Sequence, residues 1–137
     1  MIVKLAQIKD AQIIYQIGLA AFGTEQLPLS VIEHEIASPR ASYFISSSGF
    51  VGVTHILDEL EINYLAVDPK QQGQGQGRAL LEAVLALSGV HRFLLEVAAD
   101  NVVAQALYRK LGFSEYYRRR AYYRNGEDAI MMEKIND

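Results

Sequence analysis

The residues best suited to binding chemistry lie in one glycine-rich segment, Gln72-Gly73-Gln74-Gly75-Gln76-Gly77-Arg78. Glycines at alternate positions leave backbone N–H groups uncovered, and a helix that begins there adds partial positive charge, so the segment suits a pyrophosphate. A cation such as Arg78 at a helix N-terminus opposes the helix dipole, and a bound anion would reverse that effect. The alternative is a flexible polar loop with a solvated arginine.

Two known phosphate-binding loops can be compared with this segment. A Walker A loop needs four residues between its glycines and a lysine after the last one, and neither is present. A dinucleotide fingerprint, G-x-G-x-x-G, needs a third glycine where this chain has Arg78. Glu96 lies about where the ribose-binding acid of that fold would sit, so this alternative stays open. However, 137 residues leave little room for a second, substrate-binding half.

Three further side chains could take part in a reaction. Glu96 stands alone among apolar residues in Phe93-Leu94-Leu95-Glu96-Val97, and an apolar surrounding favours the basic behaviour that proton abstraction needs. A buried Glu96 would therefore be a candidate base, and an exposed sheet position or a strand end is the alternative. Tyr108 lies at helical spacing from apolar residues, which is typical of a core aromatic. Asn101 is suited to cap the helix that follows it.

The densest basic and aromatic segment is Tyr116-Tyr117-Arg118-Arg119-Arg120-Ala121-Tyr122-Tyr123-Arg124. It could be a nucleic-acid surface, or a solvated hairpin whose tyrosines pack on the sheet. The histidines, His34, His55 and His91, are far apart and fit no metal-ligand spacing, so no metal site is predicted.

Composition limits the classes of protein that the chain can belong to. Its 137 residues and 15.3 kDa fit one domain over residues 1–137, and 50% hydrophobic residues exclude a disordered chain. The absence of cysteine excludes disulfides, cysteine-ligated metals and a cysteine nucleophile. A net charge of −3 argues against a general nucleic-acid binder. Neither a signal peptide nor an apolar run of about 18 residues is present, so we expect a cytoplasmic protein without membrane contact.

The elements that must position these residues follow from periodicity and from breaker residues. Asp10 and Gly23 bound a first helix whose buried face is predicted to carry Ile13, Ile14, Ile17 and Ala21. A second helix is predicted to open at Pro28 and Ser30, with Ser30 and Glu33 as a capping box, and to stop at Pro39. Two later helices are predicted at residues 78–87, with Gly89 as C-cap, and from Asn101 to Lys110, ended by Gly112. Strands are predicted at residues 1–6, 42–46, 50–57, 60–67, 91–97, 113–117 and 129–134.

This order of elements indicates an α/β fold. The unit from Leu60 to Val97 is strand, loop, helix and strand, and such a crossover makes its two strands parallel and its connection right-handed. The strand pairs before and after it are hairpins. We therefore predict a mixed sheet with helices on both faces.

Several motifs in sequence order resemble one superfamily. Val67-Asp68-Pro69 followed by Gln72-x-x-Gly75-x-Gly77 and an apolar helix resembles the acetyl-CoA loop of the GNAT N-acetyltransferases. Leu95-Glu96-Val97, Asn101, the run Ala106 to Phe113 and the tail from Arg119 to Met132 are similar to the ribosomal-protein-alanine (RimI-like) members. The resemblance covers about residues 60 to 133 and, weakly, the N-terminal half.

The resemblance implies a splayed central sheet with acetyl-CoA lying between the two parallel strands, and direct transfer of acetyl to an amine. It implies that Glu96 is the base and that Tyr108 protonates the departing sulfur and positions the cofactor. The N–H of Val67 would face the thioester oxygen. The implied cofactor-binding residues are Leu65, Ala66, Val67, Gln72, Gly73, Gln74, Gly75, Gln76, Gly77, Arg78, Asn101 and Tyr108.

The implied acceptor is the N-terminal α-amine of a protein, such as a ribosomal protein, with the basic segment forming a wall of the acceptor groove. A small amine (a polyamine, an aminoglycoside or an amino acid) is one alternative, and a non-catalytic module that binds acetyl-CoA or RNA is another. The chain departs from the family pattern at Gly73 and Ala98, where members commonly carry basic residues. It also has Pro28-Leu29 where a Pro-Trp pair is usual.

Overall fold

The computed structural model describes residues 2–136, which form one mixed sheet flanked by helices. The strands run in the spatial order β1-β2-β3-β4-β5-β7-β6. Their bounds are Lys4–Leu5 (β1), Ala41–Ile45 (β2), Gly49–Ile56 (β3), Glu59–Val67 (β4), Arg92–Ala98 (β5), Ser114–Arg119 (β6) and Ala129–Ile135 (β7). The helices are Ala11–Phe22 (α1), Leu29–Ile36 (α2), Gln76–Leu85 (α3) and Val102–Lys110 (α4). None of the helices within residues 2–136 has the length and apolar character needed to cross a membrane.

The central strands β4 and β5 are parallel, and every other pair in the described sheet is antiparallel. The parallel pairing starts at Glu59 with Arg92 and ends at Glu61 with Leu94. Beyond that point β4 continues to Val67 along β3, while β5 continues to Ala98 along β7. The two strands therefore separate and leave a V-shaped gap, which confirms the predicted splayed, mixed α/β sheet.

Alternation along the strands divides the core between the two faces of the sheet. Phe50 on β3 packs in a cluster with Ile14 of α1 and Ile32 of α2. Its neighbour Val51 belongs to the opposite cluster, with Leu81 of α3. Helices thus cover both faces, as predicted, with α1 and α2 on one face and α3 and α4 on the other.

The N-terminal helices differ in detail from the prediction. Gly23 ends α1 with φ of 74°, as expected, but Ile13 is 48% exposed, so its assignment to the buried face is wrong. The capping box of Ser30 and Glu33 is also wrong. Pro28 is the N-cap and its carbonyl accepts from the N–H of Ile32, so Ser30 already lies inside α2.

The other differences concern element ends. Helix α3 begins at Gln76 because Gly75 adopts φ of +84° and caps it, so the predicted start at residue 78 is two residues late. The helix ends at Leu85, and Gly89 lies beyond its C-cap, Ala86. The first strand is only two residues long, and residue 1 of its predicted range lies outside the described residues.

Candidate active site

The glycine-rich segment connects the end of β4 to the start of α3. Gly73 and Gly75 adopt φ of +81° and +84°, a left-handed conformation that side-chain-bearing residues rarely adopt. No atom lies within 4 Å of the position that a Cβ would take at either residue. Inside the loop, Gln72 Nε2 donates to the Val67 carbonyl at 3.0 Å. The loop therefore presents open backbone beside the N-terminus of a helix.

A groove of about 870 Å³ runs from this loop to helix α4. The charged residues that line it, Arg78 and Lys110, are both cationic. Its far wall carries the exposed side chains of Val102 and Val103, the latter 84% exposed. Backbone N–H groups, cations and an apolar wall together fit a long ligand that carries a diphosphate. Arg78 also pairs with Glu82 at 3.4 Å, an exposed contact that contributes little stability.

Eight of the twelve predicted cofactor residues line this groove. Asn101 and Tyr108 line a smaller neighbouring cavity instead, and Gln74 and Ala66 line neither. The lining of the groove includes Leu65, Val67, Gln72, Gly73, Gly75, Gln76, Gly77 and Arg78. Gln74 lies in the loop without lining the groove. Ala66 is buried on the opposite face, in the α1–α2 cluster, because alternation along β4 points its side chain away from the groove.

The backbone of Val67 faces the gap. The N–H of Asp68 donates to the Ser48 carbonyl at 2.8 Å, so that pair bridges β4 and the turn before β3. Hydrogen-bonding direction alternates along an antiparallel pair, and the N–H of Val67 therefore points away from β3. On that side β5 has already separated from β4.

A smaller cavity of about 250 Å³ lies in the gap between β4 and β5. Leu65 lines it from β4 and Glu96 from β5, while Asn101 and Tyr108 line it from the loop before α4 and from α4. The fold thus brings together the two predicted catalytic residues, which are 12 positions apart in sequence.

Glu96 is exposed, so the expectation of burial is wrong and the alternative of an exposed sheet position is confirmed. Phe93, Leu95 and Val97 point into the core, so alternation turns Glu96 to the other face of β5. There it lies beside Tyr123, whose pKa is raised to about 12, first by burial and then by the negative charge of Glu96.

Tyr108 is buried and stacks edge-on against Phe113, with ring centroids 6.0 Å apart. Burial raises the pKa of Tyr108 above its usual value of 10.0, so the phenol keeps its proton at neutral pH. Asn101 Oδ1 accepts from the N–H of Ala104 at 3.2 Å, which confirms it as the cap of α4. Asn101 therefore both caps the helix and lines the cavity.

A third cavity of about 620 Å³ adjoins Glu96 on the side away from the groove. Three carboxylates line it: Glu35 from α2, Glu61 from β4 and Glu96 from β5. Tyr64 also lines it, and its pKa is raised first by burial and then by the negative charge of Glu35. We call this space the carboxylate cavity. Its charge is opposite to that of the cofactor groove.

Sequence reasoning missed most of the carboxylate cavity. Glu35, Glu61 and Tyr64 come from two distant segments, and in the sequence each is typical of a solvated face. Glu35 is held in place by a hydrogen bond from the Tyr43 hydroxyl at 2.6 Å, across eight positions. Besides Glu96, the lining residues that the sequence analysis had singled out are Tyr116 and Tyr123, both members of the basic and aromatic segment.

That basic segment forms an exposed hairpin in which Arg118 makes two ion pairs and Arg119 lies over the Tyr122 ring, 5.3 Å from its centroid. Arg118 contacts Glu115 at 3.4 Å and Asp128 at 3.3 Å. The pKa of Asp128 is lowered, first by the hydrogen bond from the Ala121 N–H and then by Arg118. Within residues 2–136, no cluster of three histidine, aspartate or glutamate side chains could hold a metal ion.

Comparisons with known proteins agree with this arrangement. The profile of the acetyltransferase (GNAT) domain matches residues 5–136. The chain is 35% identical over 136 residues to N-alpha-acetyltransferase RimI of Mycobacterium tuberculosis, covering 91% of this chain and 86% of that protein. The crystal structure of the ribosomal-protein-S18-alanine N-acetyltransferase from Escherichia coli superimposes with a TM-score of 0.88 at 34% identity. That match covers 98% of this chain and 92% of the other.

A sheet split between parallel strands, with a glycine loop and a cation-lined groove at the split, defines an acetyltransferase of the GNAT type, a family that uses acetyl-CoA. The chain belongs to the GNAT acetyltransferase family and is an N-acetyltransferase. Within that family it is similar to RimI-type enzymes, as the sequence motifs predicted.

Proposed function

We propose that this enzyme transfers acetyl from acetyl-CoA to the N-terminal α-amine of a protein, with Glu96 and Tyr108 as its catalytic residues. The observation that carries the proposal is that both line the cavity in the β4–β5 gap, between the cationic groove and the carboxylate cavity. An anionic co-substrate held in the groove and an amine attracted by the carboxylate cavity would meet in this gap.

Each residue has a task that matches its position. The groove residues from Gln72 to Arg78 hold the diphosphate of the co-substrate through backbone N–H groups and the start of α3. Acetyl-CoA supplies an activated acyl group, which the acceptor amine takes by direct attack. Glu96 removes the proton from that amine through a water, the N–H of Val67 stabilises developing negative charge on oxygen, and Tyr108 gives its proton to the departing sulfur.

An exposed carboxylate suits an α-amine better than a lysine side chain. At pH 7 an α-amine with a pKa near 8 loses its proton for about 1.4 kcal/mol, and a lysine with a pKa near 10.4 needs nearly 5 kcal/mol. Glu96 reaches solvent, and it takes part in none of the ion pairs found within residues 2–136. A base of this kind meets the smaller demand.

The names of the relatives point to a ribosomal acceptor. The Escherichia coli protein that is 49% identical over 83 residues, 56% of each chain, is a [ribosomal protein bS18]-alanine N-acetyltransferase. We propose the same type of acceptor here, a protein whose N-terminal residue is alanine.

The carboxylate cavity favours a second candidate, a small cationic amine. Its volume of about 620 Å³ and its three carboxylates would accommodate a polyamine or an aminoglycoside as readily as the first residues of a peptide. This alternative has the same donor and the same catalytic residues.

Mass spectrometry separates the two candidates. A peptide with a free N-terminal alanine and an internal lysine is incubated with acetyl-CoA and the protein, and a parallel set contains spermidine, an aminoglycoside or a free amino acid. We expect acetyl on the peptide N-terminus alone. Acetyl on a small amine with none on the peptide would establish the alternative, and acetyl on the lysine would contradict the role given to Glu96.

A further inference from the structure

Helix α3 begins with a buried glutamine that joins two separate segments. Gln76 is 4% exposed, and its Oε1 accepts from Ser46 Oγ at 2.6 Å and from the Ser48 N–H at 3.0 Å. The Ser48 N–H can only donate, so the orientation of the amide is fixed. A buried polar side chain costs stability unless it is hydrogen-bonded, and an apolar residue here would avoid that requirement.

Ser48 also contacts the other end of the glycine loop. The Ser48 carbonyl accepts from the N–H of Asp68, at the end of β4, at 2.8 Å. One residue of the β2–β3 turn is thus bonded to the residue just before the loop and to the residue just after Gly75. Residues 69–75 span from one contact to the other.

The turn itself is held against the sheet. The Ser46 N–H donates to the Gly49 carbonyl at 3.0 Å and closes the turn. A Cβ at Gly49 would lie 2.9 Å from the Ala66 carbonyl oxygen and 3.0 Å from Leu80 Cδ1, so only glycine lets the turn approach this closely. Ser48 is therefore a fixed point rather than part of a free loop.

We propose that Gln76 is a positioning residue, which with Ser48 clamps the mouth of the glycine loop in the geometry that holds the diphosphate of acetyl-CoA. The inference rests on the proposed function. A loop with several glycines has much backbone freedom to lose on binding. Fixing both of its ends before the ligand arrives lowers that cost, which is the general effect of preorganisation on affinity.

The test compares two thioester donors that differ in the part that the loop holds. Gln76→Met keeps the length of the side chain and removes the acceptor. With acetyl-CoA we expect KM to rise about tenfold, with kcat within about twofold of the wild type. With S-acetylpantetheine, which lacks the diphosphate, we expect kcat/KM within about twofold of the wild type. Ser46→Ala removes one of the two donors and should raise the acetyl-CoA KM by about threefold.

Gln105→Met is the matched control. Gln105 is also buried, but its Nε2 donates to the Ala98 and Ala99 carbonyls after β5, away from the loop. We expect it to lower thermal stability without a selective loss for acetyl-CoA. An unchanged acetyl-CoA KM in Gln76→Met and Ser46→Ala, or an equal loss with both donors, would overturn the clamp.

Calorimetric titration with CoA distinguishes this failure from failure of the proposed function. A wild-type protein that binds CoA and transfers no acetyl would overturn the proposed function, and the CoA affinities of the same variants would then decide the clamp. Weakening by about tenfold in Gln76→Met would support it, and unchanged affinity would contradict it. A wild-type protein that does not bind CoA would overturn both.

Discussion

The cofactor groove and the carboxylate cavity are connected by the small cavity in the β4–β5 gap, yet they are built in opposite ways. The part of the groove that fits a diphosphate is made from contiguous residues, and their backbone forms it: two left-handed glycines, a helix start and the end of β4. The carboxylate cavity is made from side chains that α2, β4 and β5 contribute separately. The charged residues of the groove are cations, and the cavity holds three carboxylates.

This difference affects both the local charge of the two spaces and their response to substitutions. The net charge of −3 does not predict the local charge of either binding space, because the cations of the groove and the carboxylates of the cavity lie on opposite sides of one gap. Because backbone geometry holds the donor, the groove should tolerate many side-chain changes and respond to changes in φ. The carboxylate cavity should respond to single side-chain changes.

The largest expected effect tests the carboxylate cavity, which is built from side chains. Replacing Glu96 with Gln removes the base without changing size, and turnover near neutral pH should fall by about 10²-fold or more. Steady-state assays measure it, with Glu33→Gln on the exposed side of α2 as the control. An unchanged rate in Glu96→Gln would remove Glu96 from the mechanism and make the carboxylate cavity a binding surface only.

The next effect tests the small cavity in the β4–β5 gap, which lies between the groove and the carboxylate cavity. Tyr108→Phe removes the proton donor and should lower kcat by about tenfold, because a thiolate with a pKa near 8.5 leaves fairly readily without help. Burial raises the pKa of Tyr108, so the wild-type rate should not decline through ionisation of this phenol below about pH 10. A kcat that matches the wild type would leave Tyr108 with a packing role against Phe113.

A smaller effect tests the glycine loop of the groove, which is defined by its backbone conformation. Gly75→Ala places a Cβ at φ of +84°, which should lower the free energy of unfolding by about 1 kcal/mol although no atom blocks the space. Gly77→Ala, inside α3 and without a positive φ, should instead raise it by about 0.5 kcal/mol. Urea unfolding without ligand measures both, and equal changes in the two variants would contradict a loop defined by backbone conformation.

A further effect, confined to alkaline pH, concerns the carboxylate cavity. The pKa of Tyr123 is about 12 in the folded protein and about 10 when unfolded. Its contribution to stability is therefore fully present below pH 10 and is lost as pH rises towards 12. Tyr123→Phe should lose less stability than the wild type between pH 8 and pH 11 in urea unfolding. Tyr117→Phe, on the exposed outer strand, should behave as the wild type does.

Local rules account for the elements that the sequence predicted well. Gly23 ends α1 and Asn101 caps α4, since a left-handed glycine and a side-chain acceptor act within a few residues. The failure at α2 shows the limit of such rules. Ser30 and Glu33 match a capping box, but Pro28 is the N-cap and both residues lie inside α2, so two local signals compete and the pattern alone does not select between them.

The sequence by itself determined the glycine loop, the parallel crossover and the family, because each depends on residues that are contiguous or regularly spaced. Only the tertiary structure decided that Glu96 faces the gap in an exposed position, that Glu35 and Glu61 join it, and that Ser48 holds both ends of the loop. Those juxtapositions arise where β4 and β5 separate. The point of separation is set by packing on both faces of the sheet, which no local pattern records.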